Sequence, residues 1–160
     1  MNVNDLALIL IDKSHQQGLS ITNQRLQKLL YFVQALFIKE KGTLCFLDPM
    51  EAWTFGPVVP SVYSVYRIFG GNLIPEIKEV VDSKKKIHRL CDVQIPEDEE
   101  RLIDRIIKLT AAIPTREMIR ITQFQTPWQL TYDPKVNRII DPSLMLQRFS
   151  KMKGILNDET

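Results

Sequence analysis

The stretch NQRLQKLLYFVQALFIKEK, residues 23–41, decides the fold because its apolar side chains recur at the three- and four-residue spacing of a helix. Ser20 or Thr22 is a suitable cap for its start, and Gly42 ends it. One apolar stripe faces the core and comprises Leu26, Leu29, Leu30, Val33 and Phe37. Phe32 and Leu36 widen this stripe on one side. A second, mixed row consists of Gln27, Tyr31, Gln34 and Ile38. Three positions alone are expected to face solvent fully: Lys28, Ala35 and Lys39. Such a helix must pack on more than one side, within the domain or against a partner.

Prolines and glycines divide the rest of the chain into short elements. Residues 51–55 read as an extended piece turned by Gly56-Pro57, and the lysine-rich piece after residue 81 reads as a loop or an edge strand. In the clearest of the other helices, 97–113, one buried side comprises Leu102, Ile106, Leu109 and Ile113. The remaining helices are expected at 5–17, 61–69 and 76–81, and after Pro114, Thr126-Pro127 and Asp141-Pro142.

These elements predict a mainly α fold, a compact single-domain array of six to seven short helices with a small β-ribbon. We expect the domain to span residues 1–150 and a C-terminal tail to span 151–160. With 160 residues the chain is long enough for one core and short for two.

The composition excludes several classes of protein. The longest apolar run, Leu6–Ile11, is too short to span a membrane and is wrongly flanked for a secretion signal, so we expect a cytoplasmic protein. In that reducing compartment Cys45 and Cys91 are interpreted as packing thiols. The net charge of +2 is too small to indicate a phosphate-binding surface.

Local catalytic motifs are absent from the sequence, which has no nucleophile elbow, zinc-protease motif, phosphate loop or dinucleotide-binding glycine pattern. His15 and His88 have no metal-ligand spacing and are interpreted as surface residues. We therefore predict no enzyme, no cofactor and no metal.

Residues 19–34 also resemble a DNA-binding helix-turn-helix, because they offer a turn followed by a helix with Gln24, Arg25, Gln27 and Lys28 near its start. This helix is too apolar around its circumference to lie exposed in a groove. A DNA-binding regulator of a phage or prophage operon remains the alternative function.

Three segments together resemble a known family. Residues 26–32, LQKLLYF, are similar to its Leu-Gln-Lys-Leu-Leu-Tyr-Tyr helix, and residues 50–63, MEAWTFGPVVPSVY, to its Glu-Ala-Trp-x-Tyr-Gly-Pro-Val-Val-Pro-x-Val-Tyr block. Residues 122–128, TQFQTPW, resemble its Thr-His-x-Glu-x-Pro-Trp. The family is the Panacea domain, or SocA-like antitoxins, formerly known as phage-associated proteins of unknown function, and the resemblance covers about residues 5–149.

The resemblance implies a bacterial or phage antitoxin that neutralises a cognate protein toxin, by direct contact or by delivery to a protease, with no membrane partner and with oligomerisation left open. The residues that carry it are Gln27, Lys28, Tyr31, Trp53, Phe55, Gly56, Pro57, Pro60, Tyr63, Thr122, Pro127 and Trp128. Gln123 stands where the family has histidine, and Gln125 where it has an acid.

From the residues alone, the loop at Gly56, Pro57 and Pro60 is rigid and holds Trp53 and Phe55 in one geometry. Its aromatic residues read either as a protein-binding hot spot or as core packing. Gln27 and Lys28 are expected to reach a surface or to cap a loop.

Overall fold

The helices follow the punctuation of the sequence closely in the computed structural model, which describes residues 1–156. Seven α-helices lie within this range: α1 Val3–Gln16, α2 Asn23–Lys41, α3 Pro60–Tyr66, α4 Glu97–Thr110, α5 Thr115–Gln123, α6 Thr126–Gln129 and α7 Pro142–Phe149. Single 3-10 turns follow α3 at Arg67–Phe69 and precede α4 at Leu90–Asp92. The predicted mainly α class, with six to seven short helices, is confirmed.

Two small antiparallel sheets complete the fold. Strands β1 (Glu51–Trp53) and β2 (Gly56–Val58) form a hairpin in which Ala52 pairs with Pro57, and β5 (Arg138–Ile139) adds to the other edge of β1. Strands β3 (Glu79–Val81) and β4 (Ile87–Arg89) form a separate ribbon. The extended piece at 51–55 is confirmed as β1 and the hairpin turn.

The helix predicted at residues 76–81 is wrong, because this segment enters the β3–β4 ribbon. The Asp82 carboxylate accepts hydrogen bonds from the backbone N–H groups of Lys84 and Lys86, and Lys85 adopts a φ of 68°. These features close a tight turn. Val80 and Val81 are β-branched and favour the extended conformation that leads into it.

Helix α2 is packed on all sides and organises the core. It lies against α1, α3, α4, α5, α7 and β2, and the predicted cap at Thr22 and the end at Gly42 are confirmed. The expectation that Lys28 and Ala35 face solvent is wrong, because both side chains are buried. The elements that cover them come from distant parts of the chain.

Other details of the sequence prediction are corrected by the packing. Helix α1 begins two residues earlier than predicted because the Asn2 side chain accepts the free N–H groups of Asn4 and Asp5. Helix α4 ends at Thr110, and Leu109 is exposed. The buried side of this helix is instead Leu102, Ile103, Ile106, Ile107 and Thr110.

One cysteine and one histidine do not have the exposure that the sequence predicted. Cys45 is buried as expected, but Cys91 is exposed. His88 was interpreted as a surface residue and is in fact buried, with Nδ1 2.9 Å from an oxygen of Asp5 and Nε2 2.8 Å from an oxygen of Asp82. Asp5 is too far away in sequence for local spacing to reveal this site.

At the C-terminal end, Gly154 and Ile155 are buried, and residues 157–160 of the predicted tail lie outside the described residues. Within residues 1–156, no helix combines the length and the apolar character required to cross a membrane.

Candidate partner-binding site

The three segments that carry the family resemblance meet at Gly56, the first residue of β2. Gly56 has a φ of 101°, and a Cβ placed on it would lie 2.7 Å from Thr122 Oγ1 and 2.8 Å from Lys28 Cε. Only glycine fits this backbone conformation and this approach. The hairpin is therefore wedged against α2 on one side and α5 on the other.

Gln27 and Lys28 form hydrogen bonds with the backbone of β2 and of the residue that follows it. The Lys28 ammonium donates a hydrogen bond of 3.0 Å to the Pro57 carbonyl, and Gln27 Oε1 accepts one of 2.8 Å from the Val59 N–H. Neither side chain reaches the surface, so that part of the expectation is wrong, but both secure a loop as the sequence suggested. Burial lowers the pKa of Lys28 to about 7.

The turn of the hairpin is fixed by side chains from α5 and α6. Gln123 donates to the Thr54 carbonyl at 3.0 Å, and the Trp128 indole N–H donates to the Trp53 carbonyl at 2.8 Å. Trp128 also stacks on Tyr132 with 4.5 Å between ring centroids. Gln123 thus supplies a neutral hydrogen bond where the family has histidine.

Tyr31 and Gln125 form a second buried connection beneath this region. The Tyr31 hydroxyl donates to Gln125 Oε1 at 2.7 Å, and Gln125 Nε2 donates to the Ile155 carbonyl at 2.8 Å. An amide is suited to this position because it accepts one hydrogen bond and donates another. Burial raises the pKa of the Tyr31 hydroxyl above its ordinary value of 10.0.

The aromatic residues of the hairpin and of α3 border a cavity of about 240 Å³. Trp53 is half-buried, packs edge-to-face on Tyr63 at 4.9 Å between centroids, and donates its indole N–H to Glu51. Phe55 is 58% exposed at the tip of the hairpin. The cavity is lined by Gln24, Gln27, Lys28, Trp53, Thr54, Phe55, Val58, Tyr63 and Asn137.

The remaining predicted site residues support this surface from within. Pro57, Thr122 and Pro127 are buried, Pro60 begins α3, and Thr122 donates to the Ile119 carbonyl. Among the other residues that line the cavity, Thr54, Val58 and Asn137 are not predicted site residues, and Gln24 was considered only for DNA contact. Gln24 stands one helical turn before Lys28, a spacing that could have indicated it, whereas Asn137 has no such signal.

The buried start of α2 removes the structural basis for DNA recognition by this helix. The Arg25 guanidinium donates to the carbonyls of Thr110 and Ile113, each at 2.8 Å, and thereby caps the C-terminal end of α4. Arg25, Gln27 and Lys28 are all buried, so they cannot enter a major groove. Among the described residues, no three metal-ligating side chains are placed to hold a metal ion.

The fold and this site define a mainly helical domain that presents a glycine-proline hairpin wedged between two helices. The chain belongs to the antitoxin SocA-like, Panacea domain family, whose model matches residues 26–129, a range that includes all three motif segments. It is similar to the antitoxin SocA of Caulobacter vibrioides (strain NA1000 / CB15N), with 28% identity over 126 residues that cover 78% of this chain and 67% of that protein. No solved structure matches the chain.

Proposed function

We propose that this protein is an antitoxin that binds a cognate protein toxin directly, with the hairpin tip and the cavity beside it as the contact surface. Family membership supports the antitoxin role, and the exposure of Phe55 on a fixed hairpin supports the location of the contact. Aromatic residues that border a pocket are typical of protein-binding hot spots.

The rigidity of the hairpin favours this surface over other exposed apolar residues. Its two strands are paired, its turn accepts hydrogen bonds from Gln123 and Trp128, and Gly56 is in contact with Lys28 and Thr122. A surface that is already ordered loses little conformational entropy on binding. Neutralisation by contact and delivery of the toxin to a protease both require such a complex.

The direct test is co-expression with the toxic gene that neighbours this one, scored by growth and by co-purification of the two proteins. Phe55→Ala removes an exposed ring that makes no hydrogen bond, so the fold should be retained. The affinity for the toxin should fall by roughly 30-fold, which corresponds to a hot-spot residue worth about 2 kcal/mol. Leu109→Ala is the matched control, because it truncates an exposed apolar residue on α4.

Three outcomes would count against the proposal. They are failure of the wild type to rescue growth, binding of Phe55→Ala as tight as that of the wild type, and an equal loss of binding in Leu109→Ala. Trp53→Ala is less informative, because the half-buried Trp53 ring packs on Tyr63 and its loss also destabilises the domain. If the toxin disappears from cells only when a protease is present, delivery to that protease is the mode of neutralisation.

A further inference from the structure

Helix α2 carries two buried cations whose hydrogen-bonding requirements are met very differently. The Arg25 guanidinium has three acceptors, the carbonyls of Thr110 and Ile113 and the hydroxyl of Thr115. The Lys28 ammonium can donate three hydrogen bonds, but within residues 1–156 it has one acceptor, the Pro57 carbonyl, and it pairs with no carboxylate. A buried charge without a counter-ion is costly.

Lys28 lies in the wall of the cavity beside Trp53 and Tyr63 but is only 1% exposed, so an outside group has to enter the cavity to approach it. Among residues 1–156 no acidic side chain lines this cavity, and the nearby Glu51 carboxylate is bound to the Trp53 indole N–H. A second cation is nearby, because the Arg67 guanidinium lies 6.0 Å from the centroid of the Tyr63 ring and pairs with no carboxylate of the described residues. The surroundings therefore favour an anionic group over a cationic or neutral one.

The dimensions of the cavity favour a single side chain over a whole small molecule. Its volume of about 240 Å³ is below the range of roughly 300–1,000 Å³ usual for small-molecule sites. Its aromatic walls suit the methylene groups that precede a carboxylate in a glutamate side chain.

We propose that this cavity receives an acidic side chain of the partner polypeptide, whose carboxylate pairs with the ammonium of Lys28 between the rings of Trp53 and Tyr63. The identity of that polypeptide as the toxin rests on the proposed function. The pairing supplies the counter-ion that Lys28 lacks, and a buried charge pair of this kind slows dissociation of a complex. Because a carboxylate favours the charged lysine, its arrival raises the pKa of Lys28 from its lowered value.

The pocket can be tested on the full chain without the toxin, using glutamate blocked as its N-acetyl N-methylamide and the equally blocked glutamine. The readout is the NMR signal of the Trp53 indole N–H, with the Trp128 indole as internal reference, because these are the two tryptophans of the chain. We expect the glutamate probe to shift the Trp53 signal saturably. The glutamine probe should require an about ten-fold or higher concentration for the same shift.

Two variants test the role of the lysine. Lys28→Met removes the charge and keeps the length of the side chain, and should abolish the preference for glutamate. Gln24→Glu keeps Lys28 but places a carboxylate one helical turn away at the cavity, so it should weaken glutamate binding about ten-fold even if Lys28→Met fails to fold. Gln147→Glu adds the same charge at an exposed position of α7 and should leave binding unchanged.

The proposal is overturned if the two probes bind equally, if Lys28→Met retains the preference, or if acetate binds as tightly as the blocked glutamate, which would indicate a site for small anions. Growth rescue separates this proposal from the proposed function. Rescue by the wild type without glutamate binding contradicts the pocket alone, whereas glutamate binding without rescue contradicts the antitoxin role alone.

Discussion

The β1–β2 hairpin and the β3–β4 ribbon are both short antiparallel pairs, but different forces hold them to the helices. The hairpin is fixed by the close approach at Gly56, by neutral side chains such as Gln27 and Gln123, and by the buried Lys28. The ribbon has mostly exposed residues, and its buried polar connection is His88, which lies between the carboxylates of Asp5 and Asp82.

This difference separates a steric attachment from an electrostatic one. Tight packing and neutral hydrogen bonds depend little on pH, whereas a histidine held between two carboxylates loses one of its two hydrogen bonds and its charge when the imidazolium deprotonates. We therefore expect the hairpin to keep its geometry over the physiological pH range and the ribbon to open first. A fixed hairpin also agrees with the proposed binding surface.

The largest expected effect is that of Gly56→Ala, which attacks the steric attachment directly. The added methyl group would lie within 3 Å of both Thr122 and Lys28, on a backbone with φ of 101°. We expect a loss of about 4 kcal/mol in the free energy of unfolding, from overpacking together with backbone strain. Urea denaturation provides the measurement.

Gly18→Ala is the matched control, because Gly18 also has a positive φ but no atom within 4 Å of the added methyl group. It should cost about 1 kcal/mol, from backbone strain alone. Equal losses in the two variants would show that the fit at Gly56 is not what holds the hairpin.

A second test concerns the neutral connection between Tyr31 and Gln125 beneath the hairpin. Gln125→Leu leaves the Tyr31 hydroxyl and the Ile155 carbonyl without their partners, and we expect a cost of about 3 kcal/mol. The double variant with Tyr31→Phe should cost less than Gln125→Leu alone, because the orphaned hydroxyl is then removed. Thermal and urea unfolding at pH 6 and pH 8 should give the same ordering, and a loss confined to one pH would remove the distinction from the ribbon.

Much of α2 and of the hairpin could be predicted because their signals are local. Thr22 and Gly42 mark the ends of the helix, and Gly56-Pro57 marks the turn. The burial of Lys28 could not be predicted, since β2 and α5, which lie against that side of α2, are distant in sequence. Asn137 is also distant in sequence from the other residues of the candidate site, so its position there could not be predicted.

An edge strand after residue 81 was among the expectations, but strand β3 and the role of His88 were not predicted, for two different physical reasons. The helix predicted at 76–81 depended on a few residues with weak periodicity, and the turn at Asp82 and Lys85 favours strands instead. The role of His88 depends on Asp5, which is 83 positions away and belongs to another element. Pairings of this kind are set by tertiary structure, which residue spacing along one element does not reveal.

The third prediction concerns Lys28, the buried ionisable group that donates to the Pro57 carbonyl of the hairpin. Its pKa is lowered to about 7, so above that pH the folded state has released a proton that the unfolded state still binds, and stability rises with pH. The free energy of unfolding of the wild type, relative to Lys28→Met, should therefore increase by at most about 1.4 kcal/mol per pH unit between pH 7.5 and 9.5. Urea denaturation of both proteins across this range provides the comparison.

Lys78→Met serves as a control that should not change with pH. The hydrogen bond to Asp12 raises the pKa of Lys78 above 10.5, so its contribution is fully present between pH 7.5 and 9.5 and is lost only at higher pH. A pH-independent difference between the wild type and Lys28→Met would show that the lysine stays charged, and the hairpin would then depend on charge as the ribbon does.

The smallest effect is local and concerns the ribbon itself. Burial disfavours the charged imidazolium of His88, but the hydrogen bonds with Asp82 and Asp5 outweigh it, and the pKa is raised above 6.5. The attachment is thus complete below about pH 6.5 and is lost as the pH rises through the folded pKa. On the acid side, the hydrogen bond with His88 lowers the pKa of Asp82 below 3.8, so the attachment persists above that pH and fails as the pH falls through the folded pKa.

Amide hydrogen exchange from pH 5 to pH 9, corrected for its intrinsic rate, can compare the two regions in one experiment. Protection of Val80 and His88 in the ribbon should fall roughly ten-fold or more at the alkaline end, as expected when a hydrogen bond between charged groups is lost, while that of Val58 and Val59 does not fall. His88→Gln should give low ribbon protection at every pH, since an amide does not titrate in this range. A parallel decline in both regions would mean that they open together, and the ribbon would then have no independent electrostatic attachment.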